Sequence, residues 1–160
     1  MNLKPQGFVF LVFLLWLATV IGAEEIHFVG VITADHVNLR AGPGQSYEVL
    51  QKLSKGTPLQ VLERKDSWYG VRLAPDVSVY VHERFLRWHE AGAQVQGHRV
   101  HVRAGAGQAF TSMGFLGSAQ QVKVRRRMGE WVEIEPPDFC RGWVNKAYVT
   151  FYEAMNQPSI

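Results

Sequence analysis

Val37 and Leu39 share one parity of the chain, with Asn38 and Arg40 on the other. The same alternation returns at Leu59 and Val61, and again at Tyr69, Val71 and Leu73. Further along it recurs at Val100 and Val102, at Val122 and Val124, and at Val132 and Ile134. Short period-two runs broken by Gly, Pro, Asp and Ser predict strands joined by turns. No long segment beyond the first 23 residues places apolar residues at helical spacing. Lys65-Asp66-Ser67 and Met128-Gly129 sit between paired runs and predict hairpin turns. Gly42-Pro43-Gly44 and Gly105-Ala106-Gly107 predict bends in which glycine takes backbone angles that other residues resist.

The alternation is written twice. Val37-Asn38-Leu39-Arg40-Ala41-Gly42 returns 63 positions later as Val100-His101-Val102-Arg103-Ala104-Gly105. The same offset carries Leu53 onto Leu116, Val61 onto Val124, Trp68 onto Trp131 and Val81 onto Val144, with no insertion or deletion. It also carries Tyr47 onto Phe110, Tyr80 onto Trp143, and Phe85 onto Tyr148. A fixed period of this kind means one folding unit built twice. Five short strands per unit, closed into a small barrel that hides its sheet edges, is the economical arrangement. Each copy holds a full set of strands and is expected to fold alone.

These residues carry a resemblance. Each copy resembles a bacterial SH3 (SH3b) domain, whose pattern is an early V-x-V/L-R-x-G bend, a central W-x-x-V and a late G-W/Y-V before an aromatic. The first copy supplies Val37 to Pro43, Trp68-Tyr69-Gly70-Val71 and Tyr80-Val81 with Phe85. The second supplies Val100 to Ala106, Trp131-Val132-Glu133-Ile134 and Gly142-Trp143-Val144 with Tyr148. The departures are Val79 where the late glycine is usual, Ala106 for proline and His101 for the common Asn. The resemblance implies two small SH3-like five-stranded barrels in tandem and a non-catalytic module. Several members recognise peptidoglycan or its peptide cross-bridges; others are structural or bind proteins, since fold alone does not fix function.

Strand parity suggests where a ligand would sit. Trp68 is out of phase with Tyr69 and Val71, and Tyr80 with Val81; Trp131 and Trp143 repeat this in the second copy. If the valines face the interior, each copy turns two aromatics the other way. They either line a groove for a peptide or a sugar face, or form a second small core beneath the loop that starts at Gly42 or Gly105. Arg40 and Arg103 precede the glycine bends in both copies. There a guanidinium either ties loop carbonyls or meets a ligand carboxylate. Trp68, Tyr80, Trp131, Trp143, Arg40 and Arg103 are the candidate binding residues.

Other chemistry recedes. Arg125-Arg126-Arg127 faces a hairpin partner holding Glu130, Glu133 and Glu135, so a solvated, mutually neutralised pair of strands is expected. The 160 residues carry a formal net charge of +3, part of it from Lys4, too little to suggest nucleic acid. Six histidines are scattered, and His98 and His101 fall on opposite strand faces, so neither metal nor cofactor is expected. Cys140 stands alone where the first copy has Val77, and reads as a small hydrophobe or a free thiol. All histidines precede Cys140 and no G-x-S-x-G elbow is present. No catalytic domain is expected beside the two copies.

Lys4, the apolar run Phe8–Ile21 and the small pair Gly22-Ala23 form a signal-peptide pattern. The run is short of the about 20 residues of a bilayer span; an uncleaved anchor is the rival. The organisation expected is a signal peptide at 1–23, an SH3b domain at 29–87, a linker at 88–93, a second SH3b domain at 94–151 and a tail at 152–160. The expected protein is exported, periplasmic or secreted, without stable membrane insertion after cleavage. It binds cell-wall peptidoglycan or its peptides; the alternative is an envelope protein–protein scaffold.

Overall fold

Both expected hairpin turns form, each through a left-handed residue. Lys65 and Trp68 are register partners across Asp66-Ser67, with Asp66 at φ 48°. Met128 and Trp131 face each other across Gly129-Glu130, with Gly129 at φ 63°. Two-residue hairpin loops need positive φ because only that twist matches the flanking strands. The computed structural model describes residues 28–90 and 92–151. The signal-peptide segment 1–23 and the tail 152–160 lie outside the described residues.

The described residues are all-β, broken only by two 3-10 turns, Glu83–Phe85 and Lys146–Tyr148. The first copy contributes β1 (Phe28–Ile32), β2 (Val37–Arg40), β3 (Val49–Leu53), β4 (Pro58–Lys65), β5 (Trp68–Arg72), β6 (Val79–His82) and β7 (Leu86–His89). The second contributes β8 (Gly92–Val95), β9 (Val100–Arg103), β10 (Ser112–Leu116), β11 (Gln121–Val122), β12 (Val124–Met128), β13 (Trp131–Ile134), β14 (Arg141–Asn145) and β15 (Val149–Phe151).

The pairing corrects the tandem-barrel expectation. One sheet runs β15-β1-β4-β5-β14-β2-β3, so the last two strands of the second copy are built into the first. The reciprocal order, β10-β9-β6-β13-β12 with β11-β8-β7, places β6 and β7 of the first copy among strands of the second. Tyr69 pairs with Val144, and its counterpart Val132 pairs with Val81. Gly30 pairs with Phe151, and its counterpart Ala93 with Trp88. The two copies have exchanged their closing strands about a pseudo-twofold. Neither copy forms a closed five-stranded barrel from its own strands, and neither holds a complete set of partners alone. The segment expected as a linker, 88–93, lies within the β7–β8 hairpin, where His89 pairs with Gly92.

The exchange leaves one core. The alternating apolar positions of both copies, with Val79, Val81, Val132, Ile134 and Val144 all fully buried, belong to a single contiguous cluster. Cys140 and its counterpart Val77 both lie in it. Burial pushes the Cys140 thiol up to about 12, so it stays protonated and unreactive. The unusual Val79 has a packing reason. A Cβ on its counterpart Gly142 would press on Leu73 and Leu39, at 2.6 and 2.7 Å. At the corresponding positions of the other half stand the shorter Pro136 and Val102, and there the larger Val79 is fully buried.

Polar ties fasten the exchanged segments. Glu133 on β13 is buried, and its carboxylate accepts from Ser78 Oγ at 2.5 Å, just ahead of β6 in the first copy. Arg126 Nε donates to the other oxygen, and Arg125 approaches to 3.7 Å. The Ser78 hydroxyl, then the Arg126 and Arg125 charges, hold this carboxyl below its ordinary value and outweigh the effect of burial. Glu48 Oε1 accepts from the backbone N–H of Thr111 at 2.9 Å, which is Glu48's own counterpart one repeat on. Burial pushes the Glu48 carboxyl up, but the Thr111 hydrogen bonds pull it further down. The arginine run is therefore neutralised as expected at Arg126, although Glu133 is enclosed and not solvated. Arg127 turns instead to Glu83 of the first copy, 3.1 Å away.

Candidate binding surface

Register fixes which side chains share a face, because paired residues point to the same side of a sheet. Across the first sheet runs the row Glu63 (β4), Gly70 (β5), Trp143 (β14) and Arg40 (β2). Its counterpart is Arg126 (β12), Glu133 (β13), Tyr80 (β6) and Arg103 (β9). Two residues along β5 and β13 on the same faces lie Trp68 opposite Asn145, and Trp131 opposite His82. The six candidate residues are thus gathered into two faces, but not copy by copy. Trp68 and Arg40 stand with Trp143 of the second copy, while Trp131 and Arg103 stand with Tyr80 of the first. Strand exchange regroups them, so each face is composite.

All four candidate aromatics are half-buried. Trp131 packs against His82 with ring centroids 5.1 Å apart. Trp68 lines a cavity of about 250 Å³ with Arg40, His36, Asn38, Asn145 and Tyr148. Trp143 lines a separate cleft of about 340 Å³ with Tyr47, Glu63 and Arg141, closed on one side by Thr111 and Met113 of the second copy. A roomier hollow of about 500 Å³ lies around Gln51, Thr57, Arg72 and Asp76. No aromatic lines it, so it offers no stacking surface, and the aromatic faces remain the better candidates.

The arginines act as ties. Arg40 Nη1 donates to the carbonyl of Tyr47 at 2.8 Å, and Arg103 Nη1 to that of Phe110 at 2.9 Å. Each fixes the loop that leaves its glycine bend. The glycines serve a different purpose from the one expected. Neither Gly42 nor Gly105 has positive φ; a Cβ on either would collide with the ring of Tyr47 or Phe110, which lies flat over the backbone. The aromatic five residues after each glycine was the signal for this contact.

Tyr148 is a site-lining residue that parity did not reveal, although it belongs to the family pattern. It sits 45% exposed on the 3-10 turn after β14, at the mouth of the Trp68 cavity. Asn145 caps that turn, its Oδ1 accepting from Ala147 N at 2.9 Å. Its counterpart Phe85 packs near His82, at 6.1 Å between centroids, with the Arg84 guanidinium over the ring at 4.6 Å. His101, one of the histidines weighed for metal, hydrogen-bonds Ser112 Oγ at 2.7 Å and packs against Phe115 with the rings tilted by 59°.

Fold and face together define an all-β module with SH3-type strands. Residues 35–87 match the family model of the bacterial SH3 domain. Over 130 residues the chain is 25% identical to "Putative N-acetylmuramoyl-L-alanine amidase YrvJ" of Bacillus subtilis (strain 168). The match covers 75% of this chain and 25% of that protein, so the chain spans about a quarter of the relative's length. No solved structure matches significantly.

Proposed function

We propose that the chain is an exported, non-catalytic binding protein whose two SH3b copies recognise cell-wall peptidoglycan or its peptides. The observation that carries this reading is the repeated sheet face that a Trp and an Arg from one copy share with an aromatic from the other. Aromatic rings offer apolar area with defined geometry, suited to an extended peptide or the flat side of a sugar. The bacterial SH3 match at 35–87 and the relative named as a muramoyl-alanine amidase support a cell-wall ligand. Matching the second copy to the first through the 63-residue offset extends the assignment to both. Two similar faces on one rigid body gain avidity when both engage a polymer.

The test is retention on purified peptidoglycan sacculi. Trp68→Ala and Trp131→Ala should each weaken binding about 30-fold or more, the loss of about 2 kcal/mol expected of a central aromatic anchor. The double variant should be unretained while its thermal unfolding stays cooperative. A folded double variant retained like the wild type would sink the aromatic-face reading. A wild-type protein that ignores sacculi but captures an envelope protein would favour the scaffold alternative.

A further inference from the structure

The two transverse rows are equivalent in backbone but not in charge. In the second, the Arg126 guanidinium bonds the Glu133 carboxylate, and Tyr80 is the register partner of Glu133 on its other side. That row therefore runs cation, carboxylate, aromatic. In the first row Glu63 stands in the place of Arg126, Gly70 in that of Glu133 and Trp143 in that of Tyr80. With no side chain on Gly70, Glu63 folds over it: a Cβ there would lie 2.8 Å from Glu63 Oε1. The aromatic is kept, and a carboxylate now stands in the cation's place.

No described lysine or arginine forms an ion pair with Glu63. Among the residues lining the cleft, Arg141 is the cation, and its Nη1 is directed at the carbonyls of Asp138 and Cys140, at 2.5 and 3.3 Å. The cleft measures about 340 Å³ and is walled by Trp143, Tyr47 and Met113.

We propose that the Glu63–Trp143 cleft binds an organic cation on an aliphatic stem, an alkylammonium or guanidinium side chain of a peptide. Glu63 is the counter-ion and the Trp143 and Tyr47 rings flank the stem. A cation held by a carboxylate and an aromatic face gains both charge and quadrupole attraction. The site refines the binding reading above but does not need the cell wall as its source. Its test uses small probes, so its failure and that of sacculus binding are separate results.

Nα-acetyl-L-lysine amide, Nα-acetyl-L-arginine amide and the neutral Nα-acetyl-L-norleucine amide should be titrated into the ¹⁵N-labelled protein. Saturable shifts are expected at the Glu63 and Gly70 amides and the Trp143 indole N–H with one or both cationic probes. Binding of norleucine amide should be at least tenfold weaker. Glu63→Gln, at an exposed position that leaves the amide spectrum dispersed, should remove the response. Equal binding of the neutral probe, an unchanged response in Glu63→Gln, or shifts centred on Trp68 and Tyr148 would each overturn the proposal. The lysine and arginine arms distinguish the two cations.

Discussion

Split at the Glu90–Gly92 turn, the two halves of the chain should be structured only in combination. The first half carries β6 and β7 without β8, β9 and β13, their partners; the second carries β14 and β15 without β1, β2 and β5. Each half alone leaves apolar positions such as Val81 or Val144 without the strands that bury them. At low micromolar concentration neither half should show a cooperative transition, and an equimolar mixture should recover one by circular dichroism. A half that does fold should do so as a dimer, exchanging its closing strands with a second copy of itself. A folded, monomeric half by light scattering would show that each copy completes its own sheet.

Glu133→Ala should destabilise the protein by about 1–3 kcal/mol, the range for losing hydrogen bonds to a charged group. The loss should appear equally in probes of either copy, because Ser78 and Arg126 come from different copies. A pH signature accompanies it. The folded carboxyl lies below its unfolded value of about 4.3. Its stabilisation is therefore complete above that value and is lost as pH falls through the folded pKa. Denaturant midpoints for the wild type should fall more steeply below about pH 4 than those of Glu133→Gln. Parallel pH profiles for the two proteins would remove Glu133 from this role.

The strands were legible because one parity of each run is apolar and the 63-residue offset aligns the two sets without a gap. The exchange was not, for a physical reason contained in the same repetition. Tyr69 can face Val81 of its own copy or Val144 of the other, and both are valines on strands of similar sequence. Local pairing preferences are then nearly degenerate. Where a linker between two barrels was expected, β7 and β8 pair directly, His89 with Gly92. The candidate aromatics and arginines were legible from parity and position, but their grouping depended on the exchange and came out crossed. Gly42 and Gly105 marked real bends, yet their small size makes room for Tyr47 and Phe110. The enclosure of Glu133 also escaped the sequence, since its partner Ser78 lies 55 residues away on the exchanged arm.

Each candidate face is composite because the closing strands are exchanged, and interstrand nuclear Overhauser effects report that pairing directly. In a uniformly labelled sample, backbone contacts should connect Tyr69 with Val144 and Val132 with Val81, the register partners of the exchanged sheets. Dilution should leave them unchanged, since the exchange is within one chain. Contacts between Tyr69 and Val81 and between Val132 and Val144 in their place would contradict the exchange and return each face to a single copy.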